Sequence, residues 1–539
     1  MKYKIKLKKS KQCDVFVMGS GIAGVMAAIQ ASENGASVII SSSTNILSGS
    51  SFYPGTWGLG LIGPVNKDDE LDLAETIKRI GCEVVDEKLV RTFTKNISKS
   101  LEKIKSMKVK LKQATDESEE EFIPCFDYKQ RNWNGILFES AKEVFSEKLE
   151  VENITTYPFS EVIEIIKVED RIVGVVLINE VKEFEYIKCK SLVIASGGIG
   201  GLFKHRLNTS DITGMGQALA LKVGCKLVNL EFMQMMPGYI KPCPKTIFNE
   251  KTFKYVDILT QDGKDVLSKI DNIEKKLEER STHGPFTSRL ESREIDYRIF
   301  NEFMKNPKGV VVKYKAGIKR NQPEFIKLYF EWLKEAKKLT VDDEINLGIY
   351  FHAANGGIKI DEKAQTGVEG LFAAGEVTGG MHGADRIGGL STANGLVFGI
   401  IAGNGSSQYA LNLEESTLDE IEFEGYSIEN ASNIIEEIQE LMFKSAMIEK
   451  NEERVSKAIL RLEEISRELV YKDSINMKEA YKSYRLKANL LLAECILKSI
   501  DLRKESRGSH YRSDYPKLNS NMNRKIIVEL DKEINVNFE

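Results

Sequence analysis

The sequence predicts an α/β protein. It should hold a Rossmann-like dinucleotide-binding domain in two segments, an inserted α+β lobe and a C-terminal helical region. Three observations carry this prediction. Residues 14–40 read as strand, glycine turn, helix and strand. Glycines cluster again over 356–405, after a charged, glycine-poor middle. Beyond residue 411 the apolar residues recur with a helical period.

Residues 14–18 form an apolar run, and Gly19-Ser20-Gly21-Ile22-Ala23-Gly24 follows at once. Residues 25–33 read as a helix and 36–40 as a second strand, which completes a βαβ unit. Gly19 permits the tight turn, Gly21 lets backbone approach a pyrophosphate, and Gly24 lets helix and strand pack closely. The helix N-terminus offers free N–H groups and partial positive charge to the phosphates. An NAD site expects an acidic residue at the end of the second strand. Ser42 stands there, which counts against NAD.

Residues 161–178 alternate apolar and polar side chains about a turn at Glu169-Asp170, the pattern of a β-ribbon. Residues 191–196 read as a buried strand ending in Gly197-Gly198. The acidic stretch 116–121 is expected as a solvated surface turn. The middle lobe has helical stretches at 270–279 and 322–338. Residues 370–377 form a short strand ending in Gly375-Glu376, with a helix beginning near Thr392. Val455, Ala458, Ile459, Leu462, Ile465 and Leu469 mark an amphipathic helix, and 488–500 a more apolar one. The expected borders are 1–237 and 352–410 for the dinucleotide domain, 238–351 for the lobe and 411–539 for the helical region.

Composition narrows the function. A length of 539 residues admits about three or four domains. Lys+Arg total 76 against Asp+Glu 80, a net charge of −4, so no nucleic-acid role is expected from charge. The seven cysteines, at 13, 82, 125, 189, 225, 243 and 495, form no CxxC, so zinc-ribbon and iron–sulfur ligand spacing is missing. No histidine pair has metal-ligand spacing either, and no metal is expected. Scattered free thiols suit a reducing compartment, hence a cytoplasmic location. The basic start MKYKIKLKKSKQ lacks a following apolar h-region and reads as a solvated arm rather than a secretory signal. No run of about 18 apolar residues appears, so no transmembrane segment is expected.

The stretch Gly370–Ser391, with Ala373-Ala374-Gly375-Glu376 and His382-Gly383-Ala384-Asp385-Arg386, resembles the succinate dehydrogenase/fumarate reductase flavoprotein family, which includes L-aspartate oxidase. The family pattern there is close to GLxAAGExxGGxHGANRLGGNS. Ser48-Gly49-Ser50-Ser51-Phe52-Tyr53 is most similar to the matching segment of L-aspartate oxidase. Arg503 to Pro516 resembles the family's C-terminal RxESRGxHxRxDYP signature. The resemblance implies an FAD-binding domain, an inserted capping domain and a C-terminal helical domain. It implies that Gly19, Ser20, Gly21, Ala23 and Gly24 cradle the diphosphate. Ser42, Ser43, Ser50, Ser196 and Gly197 should contact the dinucleotide, Glu376 the ribityl region, and Ser391 the isoalloxazine surroundings. Membrane-complex members link flavin to a histidine, and Ser51 falls at that position here, so non-covalent FAD is expected.

The resemblance also implies chemistry. Family members move a hydride between flavin N5 and a dicarboxylate or amino-dicarboxylate carbon. His352 matches the substrate-contacting histidine, Arg386 the carboxylate-clamping arginine and Arg293 the capping-domain arginine credited with proton donation. Other positions depart from the pattern. The family's QFHPT becomes Gln234-Met235-Met236-Pro237-Gly238, its TExxRGEGG-like cap segment, which supplies a carboxylate relay, becomes Lys245-Thr246-Ile247-Phe248-Asn249-Glu250-Lys251-Thr252 without the RGEGG, TGDG becomes Thr213-Gly214-Met215-Gly216, and the Asn of HGANR becomes Asp385. These changes remove polar clamps from one end of the substrate site. The expected substrate is an organic acid with one anionic end and a less polar remainder lined by Met236 and Phe248, not plain fumarate. The leading reading is an FAD-dependent oxidoreductase acting on a C=C or CH–CH unit. The alternatives are a flavoprotein subunit passing electrons to or from a separate iron–sulfur protein, L-aspartate oxidase, and a flavin-binding protein with a decayed pocket. With no cluster motif of its own, the chain needs an outside electron-transfer partner.

Overall fold

A computed structural model of the chain describes residues 1–53, 55–115, 119–151, 153–414 and 418–539. Within the acidic stretch 116–121, residues 116–118 lie outside the described residues. The fold opens with strand β1 (Lys2–Met18), helix α1 (Ile22–Glu33) and strand β2 (Val38–Ser41). Strands β3 (Ile154–Tyr157), β4 (Glu161–Val168), β5 (Arg171–Ile178) and β6 (Phe184–Ile194) follow. The sheet order is β3-β2-β1-β6-β5-β4. β3, β2, β1 and β6 run parallel, with Val15–Met18 opposite both Val38–Ser41 and Ser191–Ile194. β4 and β5 are the antiparallel ribbon expected at 161–178, turning at Glu169-Asp170. α1 is buried along nearly all its length, as its Ala- and Ile-rich sequence requires.

The basic start is not a loose arm. Residues 2–8 extend β1, and the lysines at alternate positions put Tyr3, Ile5 and Leu7 on the opposite face.

The middle lobe is built on strands β7 (Met233–Lys241), β8 (Val256–Leu259), β9 (Val310–Tyr314) and β10 (Ile345–Ala354), with helix α2 (Arg293–Lys305) before β9. They form an antiparallel sheet ordered β7-β10-β9-β8. The borders expected at 237/238 and 351/352 fall inside β7 and β10, which pair with each other through Pro237↔Ile349 and Gly238↔Gly348. Phe248 does not line a ligand space. It is fully buried among Phe253, Tyr314 and Tyr239, in the aromatic core of this lobe.

The chain then returns to the first sheet. Strand β11 (Leu371–Ala373) joins β6 in parallel, and helix α3 (Leu390–Leu411) packs across α1. Gly395, Gly399 and Gly403 make that approach possible. A Cβ on each would stand 2.8 Å from Ile22 Cγ2, 2.6 Å from Ala23 O and 2.5 Å from Ala27 O. The two helices therefore meet backbone to backbone, and the start of α3 comes to lie near the first glycine turn.

Strand β12 (Glu420–Tyr426) pairs antiparallel with the leading half of β1. Helices α4 (Ala431–Ala446), α5 (Glu452–Arg467) and α6 (Met477–Leu502) form the C-terminal helical region. A closing hairpin, β13 (Ile526–Leu530) and β14 (Ile534–Phe538), is additional to the expected helices. It extends a small sheet that includes Leu227–Val228 and Gly357–Lys359. Among the described residues, no helix is long and apolar enough to cross a membrane.

Candidate functional site

In an open parallel sheet, the ligand crevice lies beyond the carboxyl ends of the strands. β1, β2, β6 and β11 end at Met18, Ser41, Ile194 and Ala373, and a cavity of about 400 Å³ opens beside those ends. Its walls include Gly19, Ser20, Gly21, Ala23, Ser42, Ser43, Ser50, Ser51, Ser196, Gly197, Glu376 and Ser391, together with His352 and Arg386. All but two of the site residues named from the sequence thus converge on one space.

The first exception is Gly24, which is a packing residue. A Cβ there would fall 1.9 Å from Gly19 O, so its bare backbone lets α1 sit on the turn. The second is Arg293. It begins α2, its Nη1 donates to Ser288 O at 2.7 Å, and its guanidinium stands over the Tyr511 ring. That places it outside the cavity lining, because the short path to Ser288 draws the side chain toward the C-terminal signature instead.

The long end of the cavity fits a dinucleotide. Gly19 has φ +110°, and a Cβ there would meet Ala195 O at 2.4 Å, so only glycine makes this turn against β6. A Cβ on Gly21 would meet only Ser51 Oγ within 4 Å, at 3.5 Å, so the cradle is open on its cavity side. α1 and α3 start at Gly21 and Gly389 with no side-chain cap, and of the first amides of α1, Ile22 N–H donates to Ser51 Oγ at 3.2 Å. Uncapped helix starts carry unpaired N–H groups that suit phosphate and other negative charge. Several wall atoms are buried without a hydrogen-bond partner among the described residues: Ser196 Oγ, Asn208 Oδ1, Gln234 Nε2, His382 Nδ1 and Asn394 Oδ1. Buried polar groups are normally paired, so this set marks a space made for a polar ligand.

Glu376 accepts the Ala354 N–H at 3.1 Å, and burial pushes its carboxyl above the usual range. Ser42 Oγ lies 3.1 Å from Asn45 O, and Ser20 Oγ accepts Leu47 N–H at 3.3 Å, so both serines are fixed by the loop after β2.

The short end is bounded by Arg386, Gln234, His352, His382, Met236, Leu207 and Glu250. Arg386 is only 9% exposed, and its Nη2 donates to Gln234 Oε1 at 2.7 Å. Among the described residues it forms no ion pair, and burial lowers its pKa from the ordinary guanidinium value. His352 is pushed down to about 3, first by burial and then by the Arg386 charge. His382 is lowered for the same reasons. Both rings are therefore neutral at ordinary pH. Asp385 points away from the cavity lining. It accepts Thr287 Oγ1 and Arg289 Nε, each at 2.7 Å, and so ties the 285–289 loop of the lobe to the loop bearing Arg386.

Sequence reasoning missed Cys125 and Glu250 as site residues. They lie 125 residues apart; Glu250 falls in the stretch 245–252 that stands where the family has its TExxRGEGG segment, Cys125 sits in no recognisable motif, and the fold brings both to one wall. Gln234 had a weak signal, since it opens the stretch in which Met236 departs from the family pattern.

The C-terminal signature is a brace. Arg503, Glu505 and Arg507 form a buried ion cluster with Glu231. Ser509 Oγ donates to Ala384 O at 2.8 Å, and Ser288 N–H to Gly508 O at 2.7 Å. The signature therefore holds both the Arg386 loop and the lobe without lining the cavity.

Comparisons with known proteins give the family. The FAD-binding domain family matches residues 14–392, and the fumarate reductase flavoprotein C-terminal family matches 435–537. A fumarate reductase (CoM/CoB) subunit of Methanothermobacter marburgensis is 27% identical over 575 residues, covering 97% of this chain and 98% of that one. The L-aspartate oxidase of Saccharolobus solfataricus is 27% identical over 517 residues, covering 93% and 96%. A solved quinol–fumarate reductase structure shares the fold with a TM-score of 0.81 at 21% identity, over 98% of each chain. The chain belongs to the succinate dehydrogenase/fumarate reductase flavoprotein family, in which L-aspartate oxidase is also found, and is an FAD-dependent oxidoreductase.

Proposed function

We propose that the chain interconverts a C=C and a CH–CH unit in an organic acid that carries one carboxylate at its bound end. The observation that carries this is Arg386. A buried guanidinium without an ion pair is costly; Glu376 acts on it only at a distance, and an anionic substrate would supply a direct partner. Gln234 fixes its fork, and a planar fork suits bidentate carboxylate binding. Met236, Leu207 and Ile247 offer the remainder of the substrate an apolar surface. FAD, held non-covalently, supplies the two-electron carrier. Gly19, Ser20, Gly21 and Ala23 with the start of α1 would hold its diphosphate, Ser42, Ser43, Ser50, Ser51, Ser196 and Gly197 would contact the dinucleotide, and Glu376 its ribityl chain. Ser391 at the uncapped start of α3 would face the ring system, where the helix dipole favours negative charge on the reduced cofactor. His352 is neutral and serves as a hydrogen-bonding group for the substrate rather than as an acid.

The Methanothermobacter relative is named as one subunit of its fumarate reductase and covers nearly the whole chain. This supports a separate electron-transfer protein, iron–sulfur or other, as partner. The test is anaerobic. The FAD-loaded protein is reduced, then mixed with a panel of enoates, and flavin reoxidation is followed by absorbance. Reoxidation by monocarboxylic enoates ahead of fumarate is expected. Peroxide release with L-aspartate would replace this reading with an amino-acid oxidase.

A further inference from the structure

Glu161 lines the long end of the cavity, and nothing above assigns it a role. It opens β4, and its place is fixed by the chain after β2. Ser160 N–H donates to Ser42 O at 2.8 Å and Phe159 N–H to Thr44 O at 2.9 Å. The first residue of β4 is thereby held beside the carboxyl end of β2. In a βαβ dinucleotide fold the diphosphate sits at the first helix and the ribose at the end of the second strand. Ser42 and Ser43 occupy that end here. The base would then lie farther out, toward Ser160, Glu161 and Val162, which all line the cavity.

The Glu161 side chain has no partner of its own. Its Oε2 is buried without a hydrogen bond, and among the described residues it forms no ion pair. The groups around it come from several elements. Arg485 and Tyr481 face it from α6, Lys182 from the turn between β5 and β6, and Asp211 lies on the same wall, within electrostatic reach of Tyr481. Arg485 Nη2 donates to Gly201 O at 3.4 Å, and Lys182 is exposed, so neither cation pairs with the carboxyl directly. Tyr481 OH donates to Thr213 Oγ1 at 3.5 Å, and burial raises its pKa, so it stays neutral. Burial outweighs the two cations and pushes the Glu161 carboxyl up to about 8, so it carries a proton at neutral pH.

A protonated carboxyl presents an O–H donor next to a carbonyl acceptor. Adenine presents the complement along its edge, an N6–H donor next to a ring-nitrogen acceptor. A ribose would instead call for an ionised carboxylate that accepts from its hydroxyls. We infer that Glu161 pairs with the adenine of FAD through two hydrogen bonds and so makes the chain selective for the adenine dinucleotide over shorter flavins. The inference rests on the placement of FAD given above and adds a specific contact to it.

The test uses the full chain stripped of flavin, as wild type, Glu161→Gln and Glu161→Ala. Each is titrated calorimetrically with FAD, FMN and etheno-adenine FAD, in which a bridge across N1 and N6 removes the N6–H donor. Wild type should bind FAD roughly 10- to 100-fold more tightly than the etheno analogue, and E161A should lose about the same factor for FAD. E161A should show little further loss with the etheno analogue. Glutamine keeps a donor beside an acceptor, so E161Q should bind FAD close to wild type at pH 7. Between pH 7 and pH 9.5 wild-type affinity should fall by about tenfold relative to E161Q, because Glu161 gives up the proton it donates. A wild-type affinity that rises with pH, or E161Q as weak as E161A, would mark an ionised carboxylate and overturn the inference. If FAD is preferred over FMN equally in wild type and E161A, and the etheno analogue binds as tightly as FAD, the dinucleotide reading stands and the role of Glu161 is refuted. If FMN binds wild type as tightly as FAD, both fall. The etheno ratio is measured on the wild-type protein alone, so it decides even where E161A does not fold.

Discussion

Replacing Glu505 by Gln tests the view that the C-terminal signature is a brace. The Glu505 carboxylate accepts four hydrogen bonds: Arg503 Nη1 at 2.9 Å, Arg507 Nε at 2.6 Å, Arg507 Nη2 at 3.0 Å and Asn519 N–H at 2.8 Å. These three charged side chains are at most 1% exposed. Arg503 is also paired with Glu231 at 2.7 Å, so two arginines balance two carboxylates. Glutamine has nearly the same shape but removes one negative charge and turns one acceptor into a donor facing other donors. Breaking a buried pair from one side costs about 3–5 kcal/mol. Urea denaturation of the FAD-loaded protein, read by far-UV circular dichroism, should show a loss of that size. The double variant E505M/R507M restores charge balance around Arg503–Glu231 and should lose less than E505Q, since whole buried pairs are often replaceable by apolar side chains. A loss below about 1 kcal/mol for E505Q, or a double variant worse than the single one, would refute the reasoning.

Three further outcomes follow from the site. Gly24→Ala should abolish FAD retention, read as the ratio of flavin to protein absorbance after purification, because its Cβ would meet Gly19 O at 1.9 Å and displace the phosphate-facing turn. Arg386→Met should weaken crotonate binding by about 10- to 100-fold, matching a charged hydrogen bond of about 1.5–3 kcal/mol, whereas Arg293→Met should change it little because Arg293 does not line the cavity. His352→Gln should alter the pH dependence of stability. Burial and the Arg386 charge push His352 down to about 3 in the folded chain, against about 6.5 when unfolded, so the folded state resists the proton that the unfolded state binds. Its contribution is present above pH 6.5 and is lost as pH falls toward 3. The stability of the variant relative to wild type should therefore rise by about 1 kcal/mol between pH 6 and pH 5, and an unchanged difference would show that His352 is not held neutral in the folded chain.

What the sequence made legible was whatever is written locally. The strand-turn-helix order around Gly19–Gly24 and the alternation across 161–178 each occupy one short stretch, so period and turn chemistry suffice to read them. The basic start shows the limit of this. Lys2-Tyr3-Lys4-Ile5-Lys6-Leu7-Lys8 alternates like a strand, yet it reads as an arm because no partner is near in sequence. Its partner is Glu420-Ile421-Glu422-Phe423-Glu424, more than 400 residues on, with the opposite charge in the same alternation. Ile5 faces Phe423, Leu7 faces Ile421, and Lys2 and Lys4 reach Glu424 and Glu422. Two half-patterns, each ambiguous alone, specify one another's register once paired.

The site follows the same logic. Arg386 and His352 sit in long motifs and were legible, and Met236 was legible as a departure from one. Arg293 also sits in a matching motif, but a motif fixes backbone position and not side-chain direction; here Ser288 and Tyr511 draw the guanidinium away. Cys125 carries no motif and Glu250 stands in a stretch that has lost the family's RGEGG, so their meeting was not legible: it depends on three separate chain segments closing around Gly284. The family signature thus specifies where a cofactor and one carboxylate can be held, while the residues opposite that clamp are supplied by non-local packing. A change of substrate in this fold therefore calls for a change in the wall opposite the clamp. That is where Met236, Cys125 and Glu250 stand.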